Sequence, residues 1–221
     1  MNTAKTSYPL PLVFVPSSDP EDGLLQTVDL SQPILVNVEV WKAAEPHYYA
    51  QLVLDDQLIG DARTITESDA PGDTMTFELP EKLLESNGIY KLAFRASSPF
   101  SEQHVVSESI ELKVDRTPPG AAMLAPIIFP NVTLGEDLIG KIAGYSDMQI
   151  GDSIRTLCNG VMGPGHTVTM EETLEKPISI VFSRAYLEGL ASESVLIEYF
   201  VTDRAGNVSV MSMPVVLTMN V

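Results

Sequence analysis

Ile34-Leu35-Val36-Asn37-Val38-Glu39-Val40-Trp41 decides the fold class. Its residues alternate, with Ile34, Val36, Val38 and Val40 on one face and Asn37 and Glu39 on the other, which is the two-residue period of a half-buried strand. The pattern recurs downstream. Tyr90, Leu92, Phe94 and Ala96 point one way in Ile89 to Ser97, with Lys91 and Arg95 opposite, and Ile110, Leu112 and Val114 alternate with Glu111 and Lys113. Helical periodicity is nearly absent. The chain therefore reads as all-β, built from antiparallel strands with one face in a core and one in solvent.

Two hairpins follow from turn chemistry. Leu52-Val53-Leu54 enters Asp55-Asp56 and leaves through Leu58-Ile59-Gly60, and Leu157-Cys158 enters Asn159-Gly160, the pair suited to the positive φ angles of a type I′ turn. Laying the second half over the first reveals a repeat of about 105 residues, in which Phe94 overlies Tyr199 and Val195, Ile197, Tyr199 and Val201 alternate inward. A short helix-prone piece accompanies each copy, Pro80 to Ser86 and Ser183 to Gly189. Each copy ends in a strand, Ser109 to Asp115 and Ser212 to Val221. About seven short strands per ~100 residues is the spacing of an immunoglobulin-like sandwich. A single larger barrel or jelly roll has a similar strand count, and the repeat favours two tandem sandwiches.

Between the copies, Val114-Asp115-Arg116-Thr117-Pro118-Pro119-Gly120 has the chemistry of a linker, since its paired prolines fix φ and remove two hydrogen-bond donors, with the boundary expected near Thr117. The expected domains are residues 1–116, with a Pro-rich N-terminal arm, and residues 117–221. Leu10 to Val15 of that arm is read as either an added edge strand or a loose segment. The 221 residues carry 13 Lys and Arg against 30 Asp and Glu, a net charge of -17, of which -11 falls on residues 1–116 and -6 on the remainder. Such a balance argues against nucleic-acid partners, which are held by clustered basic side chains. No segment reaches the ~20 apolar residues needed to cross a bilayer, and Met1 to Gly23 does not have the form of a secretory signal.

Two strings resemble a known family. Asp115-Arg116-Thr117-Pro118-Pro119 and Thr202-Asp203-Arg204-Ala205-Gly206-Asn207 are similar to the domain join and the late hairpin of bacterial Ig-like repeat domains, found in large surface proteins and adhesins. The resemblance covers residues 114–221 well and the first domain less closely. It implies non-catalytic modules acting as spacers, adhesive surfaces or accessory domains, located at the cell surface or outside the cell.

The residues themselves give the late hairpin a structural reading. Asp203 is expected to accept backbone N–H groups across the bend, Gly206 to take positive φ, and Asn207 to tolerate the left-handed region. Calcium is the one cofactor considered, with Asp115 at the join and either Asp203 or Glu136 and Asp137 as the oxygen ligands beside it. Arg116 and Arg204 are expected to neutralise the neighbouring acids, and the favoured expectation is no metal and no cofactor. No catalytic set is read: His47, His104 and His166 lack metal-ligand spacing, and Cys158 with His166 is thin as a nucleophile and base. A candidate binding patch for a protein or glycan gathers Trp41, His47, Tyr48 and Tyr49, while the favoured reading puts Trp41 in the core with Tyr48 or Tyr49 paired across the sheet. The function expected is a non-enzymatic interaction or spacer module. A carbohydrate-binding accessory module of an exported hydrolase and a phage-tail or injection-system fibre component are its rivals.

Overall fold

Ile34, Val36 and Val38 are the buried residues of β1 (Ile34–Glu39), while Leu35 and Glu39 between them face solvent. The computed structural model describes residues 9–100, 103–131, 136–174 and 176–218. They fall into two compact units, Met1–Arg116 and Thr117–Val221.

In the first unit β1 pairs antiparallel with β4 (Thr74–Leu79). The second sheet runs β3 (Gln57–Thr64), β2 (Tyr49–Leu54), β5 (Gly88–Ser97), and both β6 (His104–Val106) and β7 (Ile110–Val114) lie along β5. Val36, Val38, Met75 and Leu79 from one sheet and Leu52, Leu92, Phe94 and Leu112 from the other make the core. The second unit repeats the plan. There β8 (Asp137–Ile142) pairs with β11 (Ile178–Ser183), and the larger sheet runs β10 (Val161–Thr167), β9 (Ser153–Cys158), β12 (Ser194–Thr202), β13 (Val215–Thr218). Its core gathers Ile154, Cys158, Phe182, Val195, Ile197, Tyr199 and Val201. Leu52 stands opposite Phe94 in the first unit as Thr156 stands opposite Tyr199 in the second. The chain is all-β, a tandem of two immunoglobulin-like β-sandwiches. The helix-prone pieces are short, a 3-10 turn over Glu81–Leu84 and a helix α2 over Arg184–Gly189; α1 occupies Met170–Thr173. Residues 219–221 of the expected last strand lie outside the described residues.

Both predicted hairpins close through residues with positive φ, Asp55 at 47° and Asp56 at 64°, and Asn159 at 51° and Gly160 at 77°. The returning strands β3 and β10 are the edges of their sheets, and each is interrupted by a bulge. A side chain from the neighbouring strand fills the gap in each: Gln51 Nε2 donates to the Gly60 carbonyl at 2.8 Å, and Thr156 Oγ1 to the Pro164 carbonyl at 2.6 Å. A bulged edge with a proline in it is a poor template for further pairing.

The arm from residue 9 is built into the first unit. Phe14 exchanges two backbone hydrogen bonds with Asn37 of β1, each 2.8 Å, which buries Val13 and Val15. The chain then turns back on itself, with Ser18 bridging Leu25, and lays Gly23 to Leu25 parallel to β7. The Leu25 N–H donates to the Lys113 carbonyl and the Lys113 N–H to the Gly23 carbonyl, both at 2.9 Å. Gly23 sits at φ +72°, and a Cβ there would collide with the Glu111 carbonyl oxygen. The second unit takes a shorter course. Ile128 bridges Lys141 of β8 as Phe14 bridges Asn37, but 13 residues separate that pair instead of 23. The ten missing residues are the excursion that covers β7.

Candidate functional site

Trp41 lies two residues beyond β1, after Val40, whose N–H donates to the Asp73 carbonyl at 2.8 Å; both are buried, so the one-in, one-out alternation of β1 ends here. The indole is 7% exposed and packs 5.9 Å from the Phe94 ring. Trp41 is thus a core residue, and the four-residue surface patch does not form around it. Beyond it the chain makes two tight turns, Ala44 N–H to Trp41 and Tyr48 N–H to Glu45, and docks on Ile65 through reciprocal bonds with His47 and Tyr48. His47 is exposed at φ 75°, Tyr48 is half-buried against the core, and Tyr49 opens β2 opposite Thr64 and Ser97. His47 and the outer parts of the two tyrosines are what this loop offers to solvent.

The late hairpin closes through Asp203. Its carboxylate accepts the Asn207 N–H and the Asn207 side-chain amide, both at 2.8 Å, and the Gly206 N–H reaches the Asp203 carbonyl at 3.1 Å. Gly206 alone among these residues takes the left-handed region, at φ +86°. Asn207 has a negative φ, which corrects the sequence expectation: it is placed by the Asp203 carboxylate and is itself buried, so it needs no left-handed backbone.

Two of the acids considered for calcium, Asp203 and Asp115, bond within their own units, while Glu136 and Asp137 are exposed. Asp203 holds Asn207, and the Asn87 amide reaches Asp115 at 3.5 Å. Arg116 takes a different partner from the one expected: its Nε and Nη2 both donate to the Leu84 carbonyl at 3.2 Å, and its N–H to Asn87 Oδ1 at 2.7 Å. The last turn of the first unit is fastened this way. Pro118 is exposed, Pro119 is buried, and the Gly120 N–H already bonds to Ser146 of the second unit at 2.9 Å. Among the described residues, no three His, Cys, Asp or Glu side chains gather as metal ligands.

Cys158 and His166 are on paired strands yet serve separate clusters. The thiol is fully buried beneath Gly163, where a Cβ would come within 3.2 Å of the sulfur and 3.1 Å of the Tyr186 hydroxyl. Burial raises its pKa, and a hydrogen bond with Tyr186 offsets only part of that. Tyr186 is pushed up to about 12, first by burial and then by the thiol. The His166 ring instead meets Glu172 at 2.8 Å. Glu172 also accepts the Thr169 N–H at 2.9 Å and the Thr169 hydroxyl at 3.1 Å, completing the capping box of α1. Thr169 and Glu172, three apart before a helical turn, were the sequence signal for this cluster.

A second polar cluster had no such signal. Asp152 is fully buried ahead of β9, and one of its oxygens accepts the Tyr145 hydroxyl at 2.9 Å and the Gln149 N–H at 3.0 Å. Burial, then the bond to Asp152, holds the Tyr145 hydroxyl far above its ordinary range. The pair ties the loop before β9 to the sheet. Among the described residues, open grooves include one of about 330 Å³ beside Met148, Glu172 and Lys176 in the second unit and one of about 420 Å³ beside Phe14, Asp19, Glu21 and Glu111 in the first.

Among solved structures the chain is similar to the fibronectin(III)-like modules of Clostridium thermocellum CbhA, at 16% identity and a TM-score of 0.44 over 92% of this chain and 90% of that one. It is also similar to the D0-D1 domain of intimin, at 10% identity and a TM-score of 0.27 over 90% of this chain and 96% of that one. No family model and no curated protein matches the sequence.

Proposed function

We propose that this chain is a non-enzymatic interaction or spacer module that works at the bacterial surface or outside the cell, in adhesion or assembly toward a protein or glycan. The observation that carries the reading is the join. Arg116 is fastened to Leu84 and Asn87 of the first unit, Gly120 to Ser146 of the second, and only Thr117, Pro118 and Pro119 stand between. Two sandwiches with separate cores joined by a short proline-containing segment suit a spacer. The polar clusters of the second unit support the same reading, because Asp152 and Tyr145 pin a loop and His166 and Glu172 cap a helix.

Pulling single molecules from their ends tests it. Two unfolding events are expected, each releasing roughly 350 Å of chain, the extended length of about 100 residues. A chain that yields in a single event, or without measurable resistance, sinks the spacer reading. Digestion of intact cells by an added protease tests the location, since a surface module is cut while the cytosol is spared.

A further inference from the structure

We infer that the open edge of β13 pairs with β13 of a second copy of this chain, running antiparallel about a two-fold axis. The inference stands on the comparison of the two units and does not depend on the proposed function. In the first unit, β7 is shielded by Gly23 to Leu25, which bond to both sides of Lys113. The position of β7 is taken in the second unit by β13, where the ten-residue excursion is missing. The leading segment touches the approach to β13, with Leu124 bridging Ser212 and the Met213 N–H bonded to the Leu124 carbonyl at 3.1 Å, and then leaves for β8. Val215 to Thr218 pair with Ser194 to Ile197 of β12 on one side, and among the described residues no strand lies on the other.

Two other edges of the larger sheets are guarded, and the edge strand β6 is only three residues long. Both β3 and β10 are bulged, β3 carries Asp61 and Arg63, and β10 carries Pro164. None of these devices appears on β13. From Ala205 to Val221 the chain has no charged side chain, although its net charge is -17. Val216 is 62% exposed, and Val208, Val210, Met211 and Met213 are each more than 40% exposed on the same stretch. A bare, uncharged, β-branched edge is a template for strand addition. For an acidic molecule this is where a second copy meets least repulsion, and a two-fold axis lets each β13 complete the other. The two four-stranded sheets then become one of eight, with the exposed valines and methionines flanking the seam.

Sedimentation equilibrium of the full chain over a range of concentration reads the outcome. A reversible dimer is expected with a dissociation constant on the order of 100 μM or tighter, as for small transient interfaces. Val216→Lys should weaken it at least about tenfold, because an edge lysine blocks pairing. This side chain faces solvent, so the far-ultraviolet circular dichroism and melting temperature should hold. Val161→Lys, on an exposed residue of β10, should leave the dimer intact. A chain that stays monomeric to about 1 mM overturns the inference, as does a dimer unaffected by Val216→Lys. A monomer that binds a synthetic peptide of residues 20–27 overturns it too, assigning the edge to a parallel strand from another source.

Discussion

The hydroxyl of Ser212 accepts the buried N–H of Tyr199 at 2.9 Å, while the Ser212 N–H donates back to the Tyr199 carbonyl at 2.8 Å. Ser107 does the same for Phe94 in the first unit, at 3.1 and 2.9 Å, across the same span of 13 residues. A side-chain oxygen replaces the backbone carbonyl that a regular ladder would supply. Removing it strands a buried donor, so Ser212→Ala should cost about 1–3 kcal/mol, read by urea denaturation. Ser212→Thr, which keeps the hydroxyl, should cost less. If alanine and threonine are equal, the hydroxyl bond is not what holds the strand.

Asp203 fixes the late hairpin through two bonds to Asn207. Its replacement by alanine should destabilise the second unit by about 1–2 kcal/mol. Gly206→Ala should cost about 1 kcal/mol for forcing a Cβ into the left-handed region. A midpoint unchanged in both variants would show that the turn forms without them.

The Glu172 carboxyl is held below its ordinary value of 4.5. Burial alone would raise it, and the hydrogen bonds from His166 and Thr169 overcome that. The folded state therefore binds this proton more weakly than the unfolded chain. Its contribution is complete above the ordinary value and is lost as pH falls through it toward the lower folded one. Glu172→Gln keeps a residue able to cap Thr169 but removes the charge. The stability gap between the native chain and this variant should shrink from pH 6 to pH 3. A gap constant with pH would contradict the assigned hydrogen bonds.

The single tryptophan lies in the first core and the single cysteine in the second. Trp41 fluorescence should follow only the first unit in denaturant, and alkylation of Cys158 only the second. The native thiol should react nearly four orders of magnitude more slowly than the unfolded one, roughly 5,000-fold, the factor set by an opening free energy of ~5 kcal/mol. Native labelling at the unfolded rate would show that the sulfur is not sealed under Gly163.

What could be read from the sequence was local. Alternation in Ile34 to Val40 placed β1, and Asn159-Gly160 placed its hairpin, because each signal lies within a few residues of the structure it makes. The overlay of Phe94 on Tyr199 extended this to the repeat. The pairing of Gly23 to Leu25 with Lys113 is different, since nothing near Leu24 says which distant strand will receive it. Arg116 was misassigned for a related reason: its neighbour Asp115 was visible, but the Leu84 carbonyl that holds it is brought near only by the fold. Trp41 illustrates a third limit. An aromatic at the end of a strand favours the core, but only the sheet facing it supplies the partner, Phe94, and so decides whether the ring leaves the surface.

The leading segments also carry a timing consequence. Leu24 must wait for Lys113, and Leu124 for Ser212, partners nearly ninety residues downstream. On a chain emerging from its N-terminus, the earliest part of each unit is the part that settles late, after its loop has been closed against entropy. Until β7 is out, Val13, Val15, Leu24 and Leu25 have no complete place to be buried, and Asp19, Glu21 and Asp22 are the charged residues that stand among them in the sequence.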